Sequence, residues 1–326
     1  MENTPIKQKK SIWASVGNEF SRNWQLYTLL IIPVAYILIF HYYPMLGLQI
    51  AFKDYRITMN MWEAPVHPQG MFHHFRTFLN NPRFWEMFNN TIILSLYSLV
   101  ISAIMPVLLA LIVHNVMSKR FKRSLQMVTY APFFISAVVM VGILSQVLSV
   151  RAGFVNNGRV LMGLPRLNFF AIPEAFRHMF VWSDVWQSTG YSAIIYIAAL
   201  SGVDPQLHEA AKVDGASKFK RLIHVDLPGI MPTFIILLIL ATGRILDTGH
   251  TRVLLFQNAL NISHSRVIDT YLFERGLGGG IPGVGGGLMP NYPYAAAIGM
   301  TKSLVGLVMI LIVNRISRKV TETSLW

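Results

Sequence analysis

Three charged side chains fall within stretches of the sequence that are otherwise apolar. Arg244 and Asp247 lie in the apolar segment 230–249, and Lys302 lies in the segment 295–314. A charge at bilayer depth costs at least roughly 2.5–3.5 kcal/mol on insertion scales, so such groups usually pair or face water. Because Arg244 and Asp247 are three residues apart, they share one face of a helix. The pattern predicts either a polar lining or gate for a solute, or a structural ion pair near the membrane interface.

The segment 181–203 combines aromatic side chains with small hydroxyl side chains. Small and hydroxyl residues allow helices to pack closely in lipid, and they can also line a polar pathway. Trp182 and Trp186 suit the aromatic belt at a membrane interface. Tyr191 and Tyr196 lie deeper in the segment, where their rings and hydroxyl groups could contact a sugar. They are therefore candidate pathway residues, together with the three charged ones.

The sequence lacks the patterns that an enzyme or a metal site needs. It has no Cys, no phosphate-binding Gly-x-x-x-x-Gly-Lys-Ser/Thr loop and no Gly-x-Ser-x-Gly motif. His73 and His74 are adjacent, so they point in different directions on any regular element. The Gly-Gly-Gly triplets within 276–287 precede no Lys-Ser/Thr and are typical of a flexible outer loop. We predict no catalytic residue, no metal and no cofactor.

A polar, charged stretch separates two apolar segments near the middle of the chain, at about 204–229. Its first part is rich in strong helix formers, and Gly215 can adopt the positive φ that turns the chain. A second helical stretch is expected over 217–225, with Pro228 ending it. A connector needs only a few residues. The stretch is either a plain surface loop or an amphipathic hairpin that docks into a groove of a partner.

The elements that position these residues are apolar segments of about 20 residues, the length that crosses a bilayer. The chain has 326 residues, of which 53% are hydrophobic and 13% charged, against about 25% charged in soluble domains. This composition predicts an all-α, polytopic membrane protein. The six candidate spans are 27–48, 91–113, 127–149, 181–203, 230–249 and 295–314.

Basic residues set the predicted orientation of these spans. The loop 115–126 holds two Lys and two Arg and no acid, and further basic residues lie in the N-terminal segment and the C-terminal tail. Positively charged short loops stay in the cytoplasm, so both termini and 204–229 are predicted inside. The net charge of +13 fits cytoplasmic loops beside anionic lipid better than nucleic acid. The first apolar segment lacks a cleavage site and is predicted to be an uncleaved span.

The central hairpin carries a motif with fixed spacing. Glu-Ala-Ala is followed by three residues, then Gly, then nine residues, then Val-Asp-Leu-Pro. This pattern closely resembles the EAA loop of the membrane subunits of binding-protein-dependent ABC importers, except that Val225 stands where Ile is usual. By this resemblance, the residues that couple to the ATPase are Glu209, Ala210, Ala211, Asp214, Gly215, Ala216, Leu227 and Pro228.

Other stretches resemble the carbohydrate-uptake branch of the same family. They include the segment 70–91 ending in Asn90 and Thr91, and the runs "GFVNNGRVLMG" and "WSDVWQSTGYSAIIYIAAL". "VIDTYLFERGL" and the closing "SLW" are similar to a narrower group of lipoprotein- or polysaccharide-type sugar permeases. The glycine-rich run 276–287 departs from that group.

The resemblance implies a permease subunit of the bacterial plasma membrane, with a cytoplasmic coupling helix between spans 4 and 5. Its expected partners are an ABC ATPase subunit that hydrolyses the ATP, a second permease, an extracellular solute-binding lipoprotein, membrane lipid and a carbohydrate, which is expected to be an oligosaccharide. No nucleic acid is expected. The predicted divisions are a cytoplasmic segment 1–26, a first span with its outer loop 27–90, a permease core 91–314 and a cytoplasmic tail 315–326.

Three alternatives remain open at the level of sequence. An ABC importer permease could carry an amino acid, phosphate or peptide instead of a sugar. A secondary transporter would need acidic residues near the midplane and often shows internal repeats. A membrane-anchored assembly or sensory protein would explain the docking hairpin but not the match over most of the chain.

Overall fold

The structure is a computed structural model that describes residues 22–278 and 289–321. The glycine-rich run 276–287 therefore lies mostly outside the described residues, as do most of the N-terminal segment and the last residues of the tail. Within the described ranges the chain is helical, apart from one isolated antiparallel bridge between Lys53 and Val66. The prediction of an all-α membrane protein is confirmed at this level.

Fifteen α-helices can be followed along the described residues. The first half of the chain forms α1 (Trp24–Ile37), α2 (Tyr43–Met45), α3 (His73–Leu79), α4 (Phe84–Asn115), α5 (Lys119–Tyr130), α6 (Ala137–Val147) and α7 (Phe154–Leu161). The second half forms α8 (Pro173–Ser201), α9 (Pro205–Val213), α10 (Lys218–Arg221), α11 (Leu227–Thr242), α12 (His250–Phe256), α13 (Ile262–Ser265), α14 (Ile268–Leu277) and α15 (Tyr292–Thr321). Short π-helical and 3-10 turns join several of them.

Among the described residues, four helical runs are long and apolar enough to cross a membrane: Trp24–Phe52, Phe84–Asn115, Lys218–Thr242 and Tyr292–Lys319. A fifth exists if the bent pair formed by α5 and α6 counts as one span. The remaining predicted span corresponds to α8, which has 29 residues. α8 is long enough to cross a membrane but is not apolar enough, because polar side chains such as Asp184 and Gln187 lower its mean hydropathy.

The segment predicted as the third span, 127–149, is broken in the structure. α5 ends in a 3-10 turn (Ala131–Phe134), α6 starts after it, and the two directions differ by 103°. Pro132 lies at the start of this turn, and Ser136 then caps α6 by accepting a hydrogen bond from the backbone N–H of Val139 at 3.3 Å. Proline and a new N-cap together end one helix and begin the next.

The helix that carries Pro228 does not end there, contrary to expectation. α10 passes through a π-helical turn (Leu222–Asp226) directly into α11, so Lys218–Thr242 forms one helical run. A proline ring normally clashes with the carbonyl four residues earlier. The wider π turn lies at that position and accommodates the ring.

The helix in the fifth predicted span is shorter than predicted at its C-terminal end. α11 ends at Thr242, and the residues from 243 to 246 form a turn. Arg244 and Asp247 therefore lie beyond the helix rather than within it. The sequence alone could not place this end, because the apolar pattern continues past Thr242 through Ile245 and Leu246.

The core of the fold lies where α4 packs along α8. Leu94, Phe176 and Phe256 centre one buried apolar cluster, and Val107, Leu200 and Ile230 centre another. α15 packs against α14 and against the end of α11, where a Cβ on Gly306 would lie 2.7 Å from the backbone oxygen of Gly243. By contrast, α1 buries none of its side chains within the described residues.

Candidate translocation cavity and coupling segment

A cavity of about 830 Å³ opens between α4, α8 and the end of α11. Four of the five predicted pathway residues line it: Tyr191, Tyr196, Arg244 and Asp247. These residues come from two segments that are more than 40 positions apart. The tertiary structure therefore brings most of the predicted pathway residues to one place.

The two tyrosines differ in how much of the ring faces this cavity. Tyr191 stacks on Phe133 with 3.9 Å between ring centroids and 6° between planes, so one of its faces is already covered. Tyr196 is buried in the cluster around Leu200. Trp182 and Trp186 are about half exposed and do not line the cavity, and the indole N–H of Trp182 donates to the hydroxyl of Tyr97 at 2.9 Å.

Three serines of α4 line the same cavity and were not identified from the sequence. The Oγ atoms of Ser95, Ser98 and Ser102 are buried, and none has a hydrogen-bond partner within the described part of the chain. Their spacing of three and four residues places them on one helix face. A buried hydroxyl without a partner costs roughly 1–3 kcal/mol, so these groups are suited to water or to the hydroxyl groups of a solute. The three- and four-residue spacing of these serines within an apolar segment is the sequence signal that could have predicted them.

Arg252 also lines the cavity, but its charge is already balanced. Its Nη1 lies 2.6 Å from Oδ1 of Asp184 on α8, and its Nη2 contacts Oε1 of Gln187. The amide nitrogen of Gln187 in turn donates to the carbonyl of Ile135 at the α5–α6 break. Polar residues of the weakly apolar α8 therefore anchor the loop after α11 and the bend after α5.

Lys302 lies on α15 and does not line the cavity. Its Nζ contacts Oδ1 of Asp269 and lies 3.4 Å from Oδ1 of Asp247. Asp269 is the more buried of these carboxylates, with 7% of its side chain exposed against 58% for Asp247. Asp269 lies outside the six predicted spans, so the pattern of charges in apolar segments did not indicate it.

Asp269 shapes the cavity wall through the backbone. Its Oδ2 accepts hydrogen bonds from the backbone N–H groups of Thr248 at 2.7 Å and Gly249 at 3.2 Å. Thr248 and Gly249 both line the cavity. The pair of Asp269 and Lys302 thus fixes the turn that presents Asp247 and its neighbours.

Arg244 has no such balancing partner. Among the described residues no carboxylate lies within 4 Å of its guanidinium group, although Asp247 is only three positions away. Arg244 is exposed to the cavity. It is therefore a lining group with free hydrogen-bonding capacity rather than half of an ion pair.

The residues Asn90 and Thr91 of α4 hold the segment 263–268 in place. The amide nitrogen of Asn90 donates to the carbonyls of Ser263 at 2.8 Å and Arg266 at 3.2 Å. Thr91 Oγ1 accepts from the backbone N–H of Ile268 at 2.9 Å. Both side chains are buried, so they position the segment that leads into Asp269.

The segment 204–229 forms two short helical pieces joined by a tight turn. Asp204 caps α9 by accepting from the backbone N–H of Gln206 at 2.9 Å, and Ser217 caps α10 by accepting from Lys220 at 3.3 Å. Gly215 has φ of +73° between them, as the sequence indicated. Nε2 of His208 lies 3.1 Å from Oδ1 of the buried Asp226, which joins α9 to the start of the long helix.

This hairpin presents apolar side chains to its surroundings. Leu207, Val213 and Phe219 are 54%, 88% and 69% exposed. Lys212 and Lys218 are exposed beside them. Exposed apolar residues rimmed by polar ones mark interaction surfaces, so the geometry suits a partner better than a plain connector.

Within the described residues no group of three or more His, Asp or Glu side chains is arranged to hold a metal ion. The site geometry consists of hydroxyl, aromatic and charged groups around a cavity, with an exposed hairpin on a continuous helical run. A polar cavity between long apolar helices is typical of a membrane transport protein.

The family of binding-protein-dependent transport system inner membrane components matches residues 103–322. The chain belongs to this family. It is the permease component of an ABC importer, a multi-pass protein of the plasma membrane, and it is not itself an enzyme. The resemblance drawn from the hairpin motif is thereby confirmed.

Similar proteins extend the match over nearly the whole chain. The polygalacturonan/rhamnogalacturonan transport system permease protein YteP of Bacillus subtilis is 35% identical, over 92% of this chain and 90% of that protein. Protein LplB of the same organism is 36% identical, over 94% and 92%. A bacterial alginate ABC transporter, solved in complex with an alginate pentasaccharide-bound periplasmic protein, has a chain 34% identical with a TM-score of 0.83, covering 97% of this chain and 100% of that one.

Proposed function

We propose that this permease forms, with a second permease subunit, the transmembrane pathway for an oligosaccharide. The observation that carries the proposal is the meeting of Tyr191, Tyr196, Arg244 and Asp247 around one cavity of about 830 Å³. The unpartnered serine hydroxyls of α4 add hydrogen-bonding groups to the same wall. The similar proteins named for polygalacturonan, rhamnogalacturonan and alginate support a carbohydrate over an amino acid, phosphate or peptide.

The proposed topology has six spans with both termini in the cytoplasm. It counts the bent pair of α5 and α6 as the third span and α8 as the fourth. α8 packs along α4 over much of its length, and ten of its residues are buried, including Phe176 and Leu200. A helix shielded by its neighbours can carry polar residues at membrane depth, because they face protein and a cavity instead of lipid.

The segment 204–229 is proposed to dock in a groove of the ATPase subunit. Its capped helices and fixed turn hold the apolar residues Leu207, Val213 and Phe219 outward. Because the hairpin continues into α11 as one helical run, a displacement of the hairpin would move the end of α11 and the turn after it that contains Arg244. An extracellular solute-binding lipoprotein would deliver the sugar, as the periplasmic protein in the alginate transporter complex suggests.

Co-purification tests the proposal directly. The tagged chain is extracted gently from its own host, and bound proteins are identified by mass spectrometry. An ATPase subunit, a second permease and a solute-binding protein are expected. Recovery of the chain alone, even after cross-linking, would contradict the assembly and reopen the secondary-transporter alternative.

Replacing Gly215 with Val is expected to reduce uptake about tenfold while leaving the amount of permease in the membrane unchanged. A side chain in the left-handed conformation costs roughly 1–2 kcal/mol, and nothing lies within 4 Å of a Cβ placed there. The strain would therefore be relieved by reshaping the turn, not by unfolding the spans. Uptake and ATPase activity stimulated by the loaded binding protein are the measurements.

Gly163 provides a matched control for this variant. It has φ of +74° and equally open surroundings, but it lies in the loop predicted to face outward. Val at Gly163 should leave ATPase coupling unchanged, and Asn at Gly215 should restore most uptake because Asn tolerates positive φ.

Glu209→Lys is expected to weaken ATPase binding by altering the contacts of α9. Normal uptake with both hairpin variants would count against this coupling segment.

A further inference from the structure

A second cavity, of about 790 Å³, lies on the side of the molecule that the proposed topology places outside the cell. Its walls come from the segment 54–57, from α3, from the end of α14 and from the start of α15. It shares no lining residue with the translocation cavity. We propose that this outer cavity is a binding site for an acidic sugar unit, a uronate. The inference rests on the proposed transport function and orientation.

Two arginines give the outer cavity a positive character. Arg275 and Arg56 both line it, and neither has a carboxylate within ion-pair distance among the residues that the structure describes. The Nε of Arg275 is buried and has no hydrogen-bond partner there. Asp54 is the single described carboxylate in the lining. The guanidinium groups therefore have unused donors, and a planar carboxylate matches their geometry.

The wall beneath Arg275 is fixed by a chain of hydrogen bonds. The guanidinium carbon of Arg275 lies 5.1 Å from the ring centre of Tyr271, in cation–π contact. The hydroxyl of Tyr271 accepts from the amide of Asn81 at 2.8 Å and lies 3.3 Å from the hydroxyl of Tyr294. Asn291 accepts from the backbone N–H of Tyr294 at 3.0 Å. Groups held in place before a ligand arrives lower the entropic cost of binding.

Histidines form the opposite side of the outer cavity. The rings of His67 and His73 are stacked, 3.9 Å apart and 4° from parallel, and His74 meets both edge-on. Burial lowers the pKa of both His73 and His74, and the nearby His67 lowers these values further. At neutral pH the rings of His73 and His74 are therefore neutral hydrogen-bonding groups. The positive charge comes from the arginines.

These features together favour a sugar acid over other anions. Its carboxylate would bind the arginines, its ring would lie on aromatic or imidazole faces, and its hydroxyl groups would meet amide and imidazole nitrogens. The volume falls within the roughly 300–1,000 Å³ of small-molecule sites, enough for a short oligosaccharide. A neutral sugar would leave the guanidinium groups of Arg56 and Arg275 without a charged partner, and inorganic phosphate would use none of the ring faces.

The test measures binding to the permease–ATPase complex in lipid nanodiscs, without the binding protein. Saturation-transfer NMR compares trigalacturonate with α-1,4-linked galactotriose, which has the same linkage but no carboxylate. Trigalacturonate should bind about tenfold more tightly, since charge-assisted hydrogen bonds are roughly twice as strong as neutral ones. Arg275→Gln should remove about the same tenfold. Arg83→Gln removes a charge from the same outer region, at an exposed position outside the lining, and should change nothing.

Several outcomes would overturn the inference. They are equal binding of the two sugars, unchanged trigalacturonate binding in Arg275→Gln, and displacement of trigalacturonate by equimolar inorganic phosphate. If the arginine variants lost docking of the binding protein but kept normal trigalacturonate binding, the arginines would form a protein contact and the sugar site would be overturned. Arg56→Gln, at an exposed residue, repeats the test should Arg275→Gln lower the yield of complex. Uptake by wild-type proteoliposomes is measured in parallel, so that failure of the transport function is told apart from failure of this site.

Discussion

Alanine in place of Gly190 is expected to abolish the accumulation of folded permease. Gly190 lies where α8 crosses the end of α5, and a Cβ there would lie 2.0 Å from the backbone oxygen and 2.4 Å from the backbone carbon of Thr129. Backbone atoms cannot rotate away as a side chain does. Overpacking by one methylene typically costs about 1–3 kcal/mol, and this overlap is more severe because the two helices must separate.

The matched control for this variant is Gly142→Ala. Gly142 also lies within a helix, α6, but a Cβ there meets nothing within 4 Å. The Gly142→Ala variant should be expressed at the wild-type level or slightly above it, since Ala has a higher helix propensity than Gly. Membrane abundance and size-exclusion profiles of the tagged chain report the result. A Gly190→Ala permease with wild-type abundance and thermal stability would show that α8 and α5 do not cross this closely.

Methionine in place of Lys302 is expected to lower both assembly and uptake severely. The substitution leaves Asp269 buried without a cation, and removing one member of a buried ion pair costs about 3–5 kcal/mol. Asp269 also holds the backbone of Thr248 and Gly249 at the cavity wall. Losing Lys302 should therefore disturb the position of Asp247 and the shape of the translocation cavity.

The pattern of losses distinguishes a structural pair from a gate. Thermal stability of the purified complex and uptake into proteoliposomes are measured for Lys302→Met and for Lys302→Arg, which keeps the charge. A structural pair predicts that stability and uptake fall together in Lys302→Met and largely recover in Lys302→Arg. A gate predicts normal assembly with altered uptake. Normal values of both would contradict the gate and the structural role alike.

The hairpin was the part of the candidate site that the sequence described best. Its helix formers, its caps and the glycine at position 215 act over a few neighbouring residues, so local chemistry is enough to predict the turn. Membrane embedding was equally accessible, because it depends on composition summed over about 20 residues. The fixed spacing of the Glu-Ala-Ala motif then indicated the family. The candidate pathway residues Arg244 and Asp247 were indicated by the cost of charges in apolar segments. Tyr191 and Tyr196 were indicated by aromatic rings and hydroxyl groups that could contact a sugar.

The tertiary structure decided which of these polar groups act together. Lys302 pairs mainly with Asp269, which is 33 positions away in the chain. Arg252 pairs with Asp184, which is 68 positions away. The end of α11 and the break before α6 likewise depend on packing and capping rather than on average hydropathy. The sequence determined the class of protein, because hydropathy and short motifs are properties of local segments. Charge pairing and cavity shape required the structure, because they depend on distances between helices that no local pattern records.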